Sequence, residues 1–267
     1  MDVSIVILNY KQKGLVKQCI KGIELSGLSL DYEIILVDNN SDDSVLEMVR
    51  ENFPHAKTLE AKKNKGMGAG NNLGMKKANG DFILILNPDI AMVPGAVEEM
   101  YKFMKNNPSA GIVGPRLINP DGSIQFSARR FYGLLTPLFR RTFLGQFSFA
   151  KKHLRYYLMQ DEDHKKRMKV DWIFGACLFI RKEFLQTVGF FDERFFLYFE
   201  DCDLCRRFWK KGYDVWYLGD VELVHYHDRL SARRKGVVSV FSKGGRMHIV
   251  SGIRYFIKYL GEKKPPY

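Results

Sequence analysis

The chain has 267 residues, 46% hydrophobic and 27% charged, a balance that excludes disorder, collagen-like repeats and low-complexity classes and suits one large domain or two fused halves. The longest apolar runs, residues 3–8 and 82–86, fall far short of the ~20 residues that span a bilayer, and with no leader pattern ahead of the first strand the cytoplasm is the expected compartment. The formal charge is +12. All of the excess lies beyond residue 110, in clusters such as Arg129-Arg130, Arg140-Arg141, Lys151-Lys152 and Lys165-Lys166-Arg167, which suits an acidic partner: nucleic acid, anionic lipid or a phosphorylated substrate.

Residues 3–8 (VSIVIL) form a continuous β-branched run, the pattern of a strand buried on both faces, and residues 15–25 follow with helical spacing. Residues 33–37 give a second such strand, ending in Asp38-Asn39-Asn40-Ser41-Asp42, where Ser41 or Asp42 would cap a helix over 45–52. Residues 58–61 read as a short third strand. The glycine-rich stretch 64–70 reads as a flexible loop leading to a helix near 71–78. Residues 81–86 are a fourth strand stopping at Asn87-Pro88-Asp89, and a helix follows from residue 94. Beyond it come a strand at 112–115, a turn at 119–122, and a basic, aromatic, irregular stretch over 127–169 of the kind that often contacts substrate. Residues 170–181 read as a strand broken by glycine, 183–188 and 200–211 as helices, and 215–218 and 222–224 as short strands. An amphipathic basic helix lies within 237–260, with Ile249, Ile253, Phe256, Ile257 and Leu260 on one face. No internal repeat is present.

Alternating strand and helix predict an open parallel sheet whose ligand sits beyond the carboxyl ends of the strands. Those ends are Asn9-Tyr10, Asp38-Asn39-Asn40 and Asn87-Pro88-Asp89. Gly66, Gly68 and Gly70 do not make a dinucleotide fingerprint, because Asn71 occupies the third glycine position and the stretch does not follow the first strand. Cys202 and Cys205 lack the second close pair of a zinc site and sit among acids that raise a thiol pKa, so they read as two small helical residues.

Asp38 is either a turn residue or an acceptor for a pyrimidine N3–H or a ribose hydroxyl. Asp89 alone is a turn residue; across a cleft from Asp38 it would help to seat a divalent cation bridging a nucleotide diphosphate. Glu200-Asp201-Cys202-Asp203 is the densest acidic cluster. Its acids complement a helix N-terminus, and their mutual repulsion would raise one pKa toward the range of a general base. His225 and His227 alternate at a strand end and so share a face, as packing residues or as metal ligands.

The segments VSIVILNY, VDNNSDD, NKGMGAGNNLGMKKANGDFILILNPD, DWIFGACLFIRKEF, VGFFDERFFLYFEDCDLCRRFWKKGY and VHYHDRLS resemble, in this order, the family 2 inverting glycosyltransferases, most closely their rhamnosyltransferase-like branch. The resemblance runs from residue 3 to about residue 260. It implies an α/β fold of GT-A type: a mostly parallel nucleotide-binding sheet flanked by helices, fused to an acceptor-binding part, with a C-terminal amphipathic helix. Residues 1–110 would be the nucleotide-sugar half, 111–230 the acceptor and catalytic half, and 231–267 a basic C-terminal segment.

By the same resemblance Asp201 matches the catalytic base. Asn9, Tyr10, Asp38, Asn64, Gly66, Asn72 and Asn87 lie on the nucleotide and donor side, and Trp172, Gly175 and Glu200 on the acceptor side. Asp89 and His225 match the residues that hold Mg or Mn, with Asn87 standing where many relatives have a first Asp. The implied reaction moves a hexose, rhamnose first, from a dTDP- or UDP-linked donor to a hydroxyl of a glycan or lipid-linked acceptor in cell-surface polysaccharide synthesis. The basic second half adds an anionic membrane surface at the inner face of the cell membrane. Two other readings fit less well. A sugar-phosphate nucleotidyltransferase would carry a glycine-rich basic loop after the first strand, and a nucleic-acid-binding module would show a recognisable motif; no nucleic-acid partner is expected.

Overall fold

The computed structural model describes residues 1–226 and 243–265. Strand and helix alternate through the first part: β1 (Val3–Asn9), α1 (Lys13–Leu25), β2 (Tyr32–Asp38), α2 (Val45–Asn52), β3 (Lys57–Glu60), α3 (Met67–Met75), β4 (Phe82–Leu86), β5 (Ile90–Ala91) and α4 (Ala96–Asn106). Strands β3, β2, β1 and β4 lie side by side and parallel, with Asn9 opposite Asp38 and Ile7 opposite Leu86. Side chains alternate across a strand, and these strands are apolar at both parities, so each face requires a cover. Val3, Ile5 and Ile7 pack with Ile20, Val49 and Met100 of α1, α2 and α4 on one face, whereas Val6, Ile35 and Val37 share the opposite core with Met75 of α3.

The second part contributes β6 (Ala110–Ile118), β7 (Ile124–Gln125), β8 (Ala128–Arg129), α5 (Thr136–Arg141), α6 (Ser148–Tyr157), β9 (Arg167–Lys169), β10 (Trp172–Ile173), β11 (Cys177–Arg181), α7 (Leu185–Val188), α8 (Glu200–Lys210), β12 (Asp214–His225) and α9 (Lys243–Lys258). β11 enters antiparallel between β4 and β6, and β12 runs parallel to β6. β5 closes that edge antiparallel to β12, and β8 with β10 forms a separate two-stranded ribbon. The sheet is therefore parallel in its first part and mixed in its second.

Several sequence expectations are corrected. α3 starts at Met67, inside the glycine stretch. A β-carbon on Gly70 would lie 2.5 Å from Leu8, and one on Gly74 2.5 Å from Val6, so these glycines let the helix lie directly on β1 rather than forming a flexible loop. Neither Ser41 nor Asp42 caps α2; Asp43 Oδ1 accepts the Val45 N–H at 3.3 Å, while the Ser41 hydroxyl turns to Asp38. Residues 127–169 are not irregular but fold into β8, α5, a 3₁₀ turn (Phe143–Gln146), α6 and β9. The two short strands after residue 214 are one strand, β12, with an irregularity between Leu218 and Glu222.

Helix α9 packs by the face opposite to its isoleucines. Tyr255 and Tyr259 are buried, while Ile253 and Ile257 remain 55% and 68% exposed. The reason is polar as much as apolar. Lys258 Nζ and the Tyr259 hydroxyl both donate to the fully buried Asp203 of α8, the latter at 2.8 Å, and the Arg206 guanidinium stacks over the Tyr259 ring at 3.9 Å.

Candidate active site

The carboxyl ends of the parallel strands bring polar side chains to one edge. The parallel register sets Asn9 beside Asp38, and the Asn9 amide donates to Asp38 Oδ1 at 2.9 Å and to Ser41 Oγ at 2.7 Å. Asp38 is buried and also accepts the Ser41 N–H at 3.2 Å. Its neighbour Asn39 donates to Asn64 Oδ1 and to the Gly66 carbonyl, both at 3.2 Å, while its own buried Oδ1 receives no hydrogen bond. Gly66 has φ +106°, and a β-carbon there would fall 2.1 Å from the Phe196 carbonyl oxygen; no other residue fits. Tyr10 stands exposed at the rim. Asn72 turns inward, its amide clasping the Phe191 backbone through N–H and C=O at 2.9 Å each. It thereby ties α3 to the segment that leads into α8.

One strand further along, at a sheet spacing of ~4.8 Å, Asn87 follows the end of β4 and its N–H donates to the Ala176 carbonyl at 2.9 Å. Asp89 follows, and the pairing of Ile90 with His225 sets it against β12. Asp89 Oδ1 is buried and accepts no hydrogen bond, and His225 Nε2 lies 3.3 Å from it. The ring of His225 is oriented by Gln125, whose Oε1 is 2.7 Å from Nδ1. Gln125 Nε2 donates to Asn119 Oδ1 at 2.7 Å and to the His225 carbonyl at 3.0 Å. Those two bonds fix which end of the amide faces the ring. Nδ1 is therefore the donor, and in the neutral ring Nε2 presents its lone pair toward a carboxylate oxygen. A buried carboxylate oxygen facing an imidazole lone pair fits a divalent cation of the Mg or Mn type, with the remaining positions left to phosphate and water. Among the described residues no cluster of three or more His, Cys, Asp or Glu side chains makes a complete protein cage. His227 lies outside the described residues.

The third group sits at the start of α8. Tyr198 and Phe199 both have left-handed backbones, φ +68° and +70°, which costs on the order of 1–2 kcal/mol per non-glycine residue. Phe199 is held there by burial against Tyr132 and Tyr255, with ring centroids 4.3 Å and 5.3 Å away. The turn aims Glu200 and Asp201 into the edge. Asp201 Oδ2 accepts the Gly175 N–H at 2.9 Å and Oδ1 the Cys202 N–H at 2.8 Å. A β-carbon on Gly175 would press on the Asp201 Cβ at 3.2 Å. Burial raises the Asp201 pKa above the ordinary range, opposed by those two N–H groups and by the Arg129 charge. Glu200 is pushed well above its ordinary value, chiefly by burial and then by the Asp201 charge, and its Oε2 is buried without a hydrogen bond. The two environments differ: Asp201 has two backbone N–H donors and the Arg129 charge to favour its ionised form, whereas Glu200 has a buried oxygen with no hydrogen bond, so of the two Asp201 ionises more readily. Asp203 does not join them, because its carboxylate faces Arg207 at 2.8 Å together with Lys258 and Tyr259.

Two residues at this edge were not singled out by sequence. Arg129 lies in β8 opposite Trp172, with its guanidinium 5.0 Å from the Trp172 ring and 5.3 Å from that of Phe174. Trp172 itself is buried and donates through Nε1 to the Arg130 carbonyl at 2.8 Å, so it acts on the edge by holding Arg129. The other is Gln125. Only the basic dipeptide Arg129-Arg130 gave any signal, and it was indistinguishable from the other basic clusters. Cys202 and Cys205 are fully buried free thiols, as two helical core residues should be.

Residues 4–189 match the family described as Glycosyl transferase family 2. The chain is 30% identical over 224 residues to N-acetylglucosaminyl-diphospho-decaprenol L-rhamnosyltransferase of Mycobacterium tuberculosis, covering 78% of this chain and 72% of that protein. It is 23% identical over 265 residues to the rhamnosyltransferase WbbL of Escherichia coli, covering 96% and 93%. Among solved structures, the mannosyltransferase PcManGT of Pyrobaculum calidifontis, in complex with GDP-Man and Mn2+, superposes with a TM-score of 0.65 at 17% identity. That match covers 99% of this chain, which spans 65% of the solved one.

Proposed function

The chain belongs to glycosyl transferase family 2 and is a glycosyltransferase of GT-A type, and on that premise we propose that it moves a hexose, rhamnose first, from a nucleoside-diphosphate donor to a hydroxyl of a lipid-linked glycan, with inversion. The observation that carries this is the placement of Asp201: an ionisable carboxylate held by two backbone N–H groups on the same sheet edge as the Asn9–Asp38 cradle and the Asp89–His225 pair.

Asn9, Tyr10, Asp38, Asn64, Gly66 and Asn87 take the nucleotide and donor sugar, and Asn72 braces their loop against Phe191. Trp172, Gly175 and Glu200 lie on the acceptor side. Residues 1–110 thus serve the donor, and 111–230 the acceptor. Asp201 takes the proton from the acceptor hydroxyl as its oxygen bonds to the anomeric carbon. The bond from that carbon to the diphosphate oxygen breaks on the opposite face, and the diphosphate leaves with the electron pair. The sugar passes through an oxocarbenium-like state. A positioned base contributes roughly 10²–10⁴ in rate, and holding both reactants in line supplies much of the remainder. Glu200, when protonated, can donate to an acceptor oxygen beside Asp201. Asp89 and His225 would hold a divalent cation, which when bound offsets charge on the departing diphosphate.

Among the described residues no helix is long and apolar enough to cross a membrane. A lipid-linked acceptor would nonetheless bring the enzyme to the cytoplasmic face of one. The test is a panel of dTDP-, UDP- and GDP-sugars with Mn2+, with and without a polyprenyl-diphosphate-linked N-acetylglucosamine, scored by nucleoside diphosphate release. Acceptor-stimulated release from one donor supports the reading. Formation of pyrophosphate from a nucleoside triphosphate and a sugar phosphate would replace it with nucleotidyl transfer.

A further inference from the structure

Large apolar side chains crowd the surface between Leu134 and Phe149. Leu134, Leu135 and Leu138 are exposed, and Phe143, Phe147 and Phe149 are so by 62%, 50% and 62%. The rings join into one patch: Phe143 lies 6.4 Å from Phe147, Phe147 stacks on Phe149 at 5.8 Å, and Phe149 meets Phe139 at 5.6 Å. This is a built element. Phe139 and Ala150 are buried beneath it, and Thr136 Oγ1 lies 2.7 Å from His153 Nε2, pinning α5 to α6.

Charge identifies what covers the patch. From residue 122 to residue 160 the chain has seven Lys and Arg and no Asp or Glu. Lys151 and Lys152 stand exposed just beyond Phe149. Arg130 and Arg155 pair with Glu162 and Asp161, whereas Lys151 and Lys152 face no carboxylate among the described residues. A second copy placed on the patch by a twofold axis would bring these lysines together, and exposed aromatic and leucine side chains beside them match the boundary of an anionic bilayer. The location agrees. The excursion springs from the acceptor side of the edge, where the Arg130 N–H donates to the Tyr157 carbonyl at 2.9 Å and Tyr132 packs on Trp172 at 5.5 Å.

We propose that the α5–α6 excursion docks on an anionic phospholipid bilayer, with Phe143, Phe147 and Phe149 entering the headgroup–acyl boundary and Lys151 and Lys152 meeting lipid phosphates. This deepens, and rests on, the reading of the site as one that glycosylates a lipid-linked acceptor.

The test is sedimentation of the full chain with phosphatidylglycerol and with phosphatidylcholine vesicles. UDP binding in Mn2+ is measured on the same preparations without vesicles. Wild type sediments with phosphatidylglycerol, and salt weakens the binding. K151Q/K152Q lowers affinity by about 30-fold, from roughly fivefold per lysine near an anionic surface, and F147S/F149S loses binding while UDP titration is unchanged. No sedimentation of wild type overturns the proposal. So does unaltered sedimentation of F147S/F149S with loss in I253S/I257S, which would move the contact to α9. A wild-type dimer that F147S/F149S converts to monomer assigns the patch to self-association and overturns it too. Vesicle binding without UDP binding supports the surface and moves the donor search to dTDP and GDP.

Discussion

Replacing Asp201 by Asn separates the chemistry of the site from its architecture. The carboxylate accepts one backbone N–H on each oxygen, from Gly175 and Cys202. A carboxamide satisfies one of them and turns its own NH₂ on the other. One buried donor then lacks an acceptor, at about 1–3 kcal/mol, partly offset because a buried charge is removed. The chain is expected to stay folded with a modestly lowered melting temperature. The base is gone, however, and at roughly 10²–10⁴ in rate the barrier rises by about 3–5 kcal/mol. The assay is acceptor-dependent nucleoside diphosphate release at saturating donor, with calorimetric titration of the nucleotide alongside. We expect kcat to fall at least a hundredfold (about two orders of magnitude) with nucleotide binding nearly unchanged. Asp201→Asn retaining most of the wild-type kcat would refute the assignment of the base, and loss of nucleotide binding in step with kcat would show that the residue serves the scaffold. Because burial raises the Asp201 pKa, wild-type kcat should also decline, as pH falls, at a pH above the ordinary aspartate range.

Glu200→Gln addresses stability. A carboxyl whose folded pKa is raised binds its proton more tightly when folded, so its contribution is fully present below the unfolded pKa and is lost as pH rises toward the folded one. The variant should therefore melt higher than wild type at pH 8 and converge with it near pH 4 (about the unfolded value), as read by thermal scans; a difference independent of pH would contradict the burial of an ionisable Glu200. Gln125→Leu removes the acceptor for His225 Nδ1 and should weaken Mn2+ binding by about 10–100-fold, measured by electron paramagnetic resonance titration, with the fold intact. Gly175→Ala crowds Asp201 and should lower kcat more than it raises the KM for donor; an unchanged kcat would show that the carboxylate tolerates displacement.

What the sequence disclosed and what it concealed have separate physical origins. Strands β1, β2 and β4 were legible because burial on both faces demands unbroken apolar runs, and their polar ends announced Asn9, Asp38 and Asp89. The acids opening α8 were equally visible. Gln125 and Arg129 were not, since β7 and β8 are two residues long and carry no period; Gln125 acts through His225, far along the chain, and Arg129 through the pairing of β8 with Trp172 of β10. The start of α3 was misplaced because Gly68 and Gly70 were read for flexibility, whereas they answer to Phe191 and Leu8 across the core. The isoleucine spacing of α9 was legible, but the face by which the helix packs was not. Tyr255 and Tyr259 are buried by contacts with Tyr132, Asp203 and Arg206, none of them local in sequence. The exposed stripe of isoleucines and the aromatic patch of α5–α6 became apparent only once burial was known.

The most direct measurement is a crystal of the protein soaked with dTDP or UDP and Mn2+, read by anomalous scattering at the manganese edge. We expect a single strong peak within ligand distance of the Asp89 carboxylate and His225 Nε2, with the diphosphate beside it and the nucleoside running toward Asn9 and Asp38 on the edge that carries Asp201. Manganese and nucleotide bound on another surface, or bound here with Asp201 facing away from the diphosphate, would contradict it.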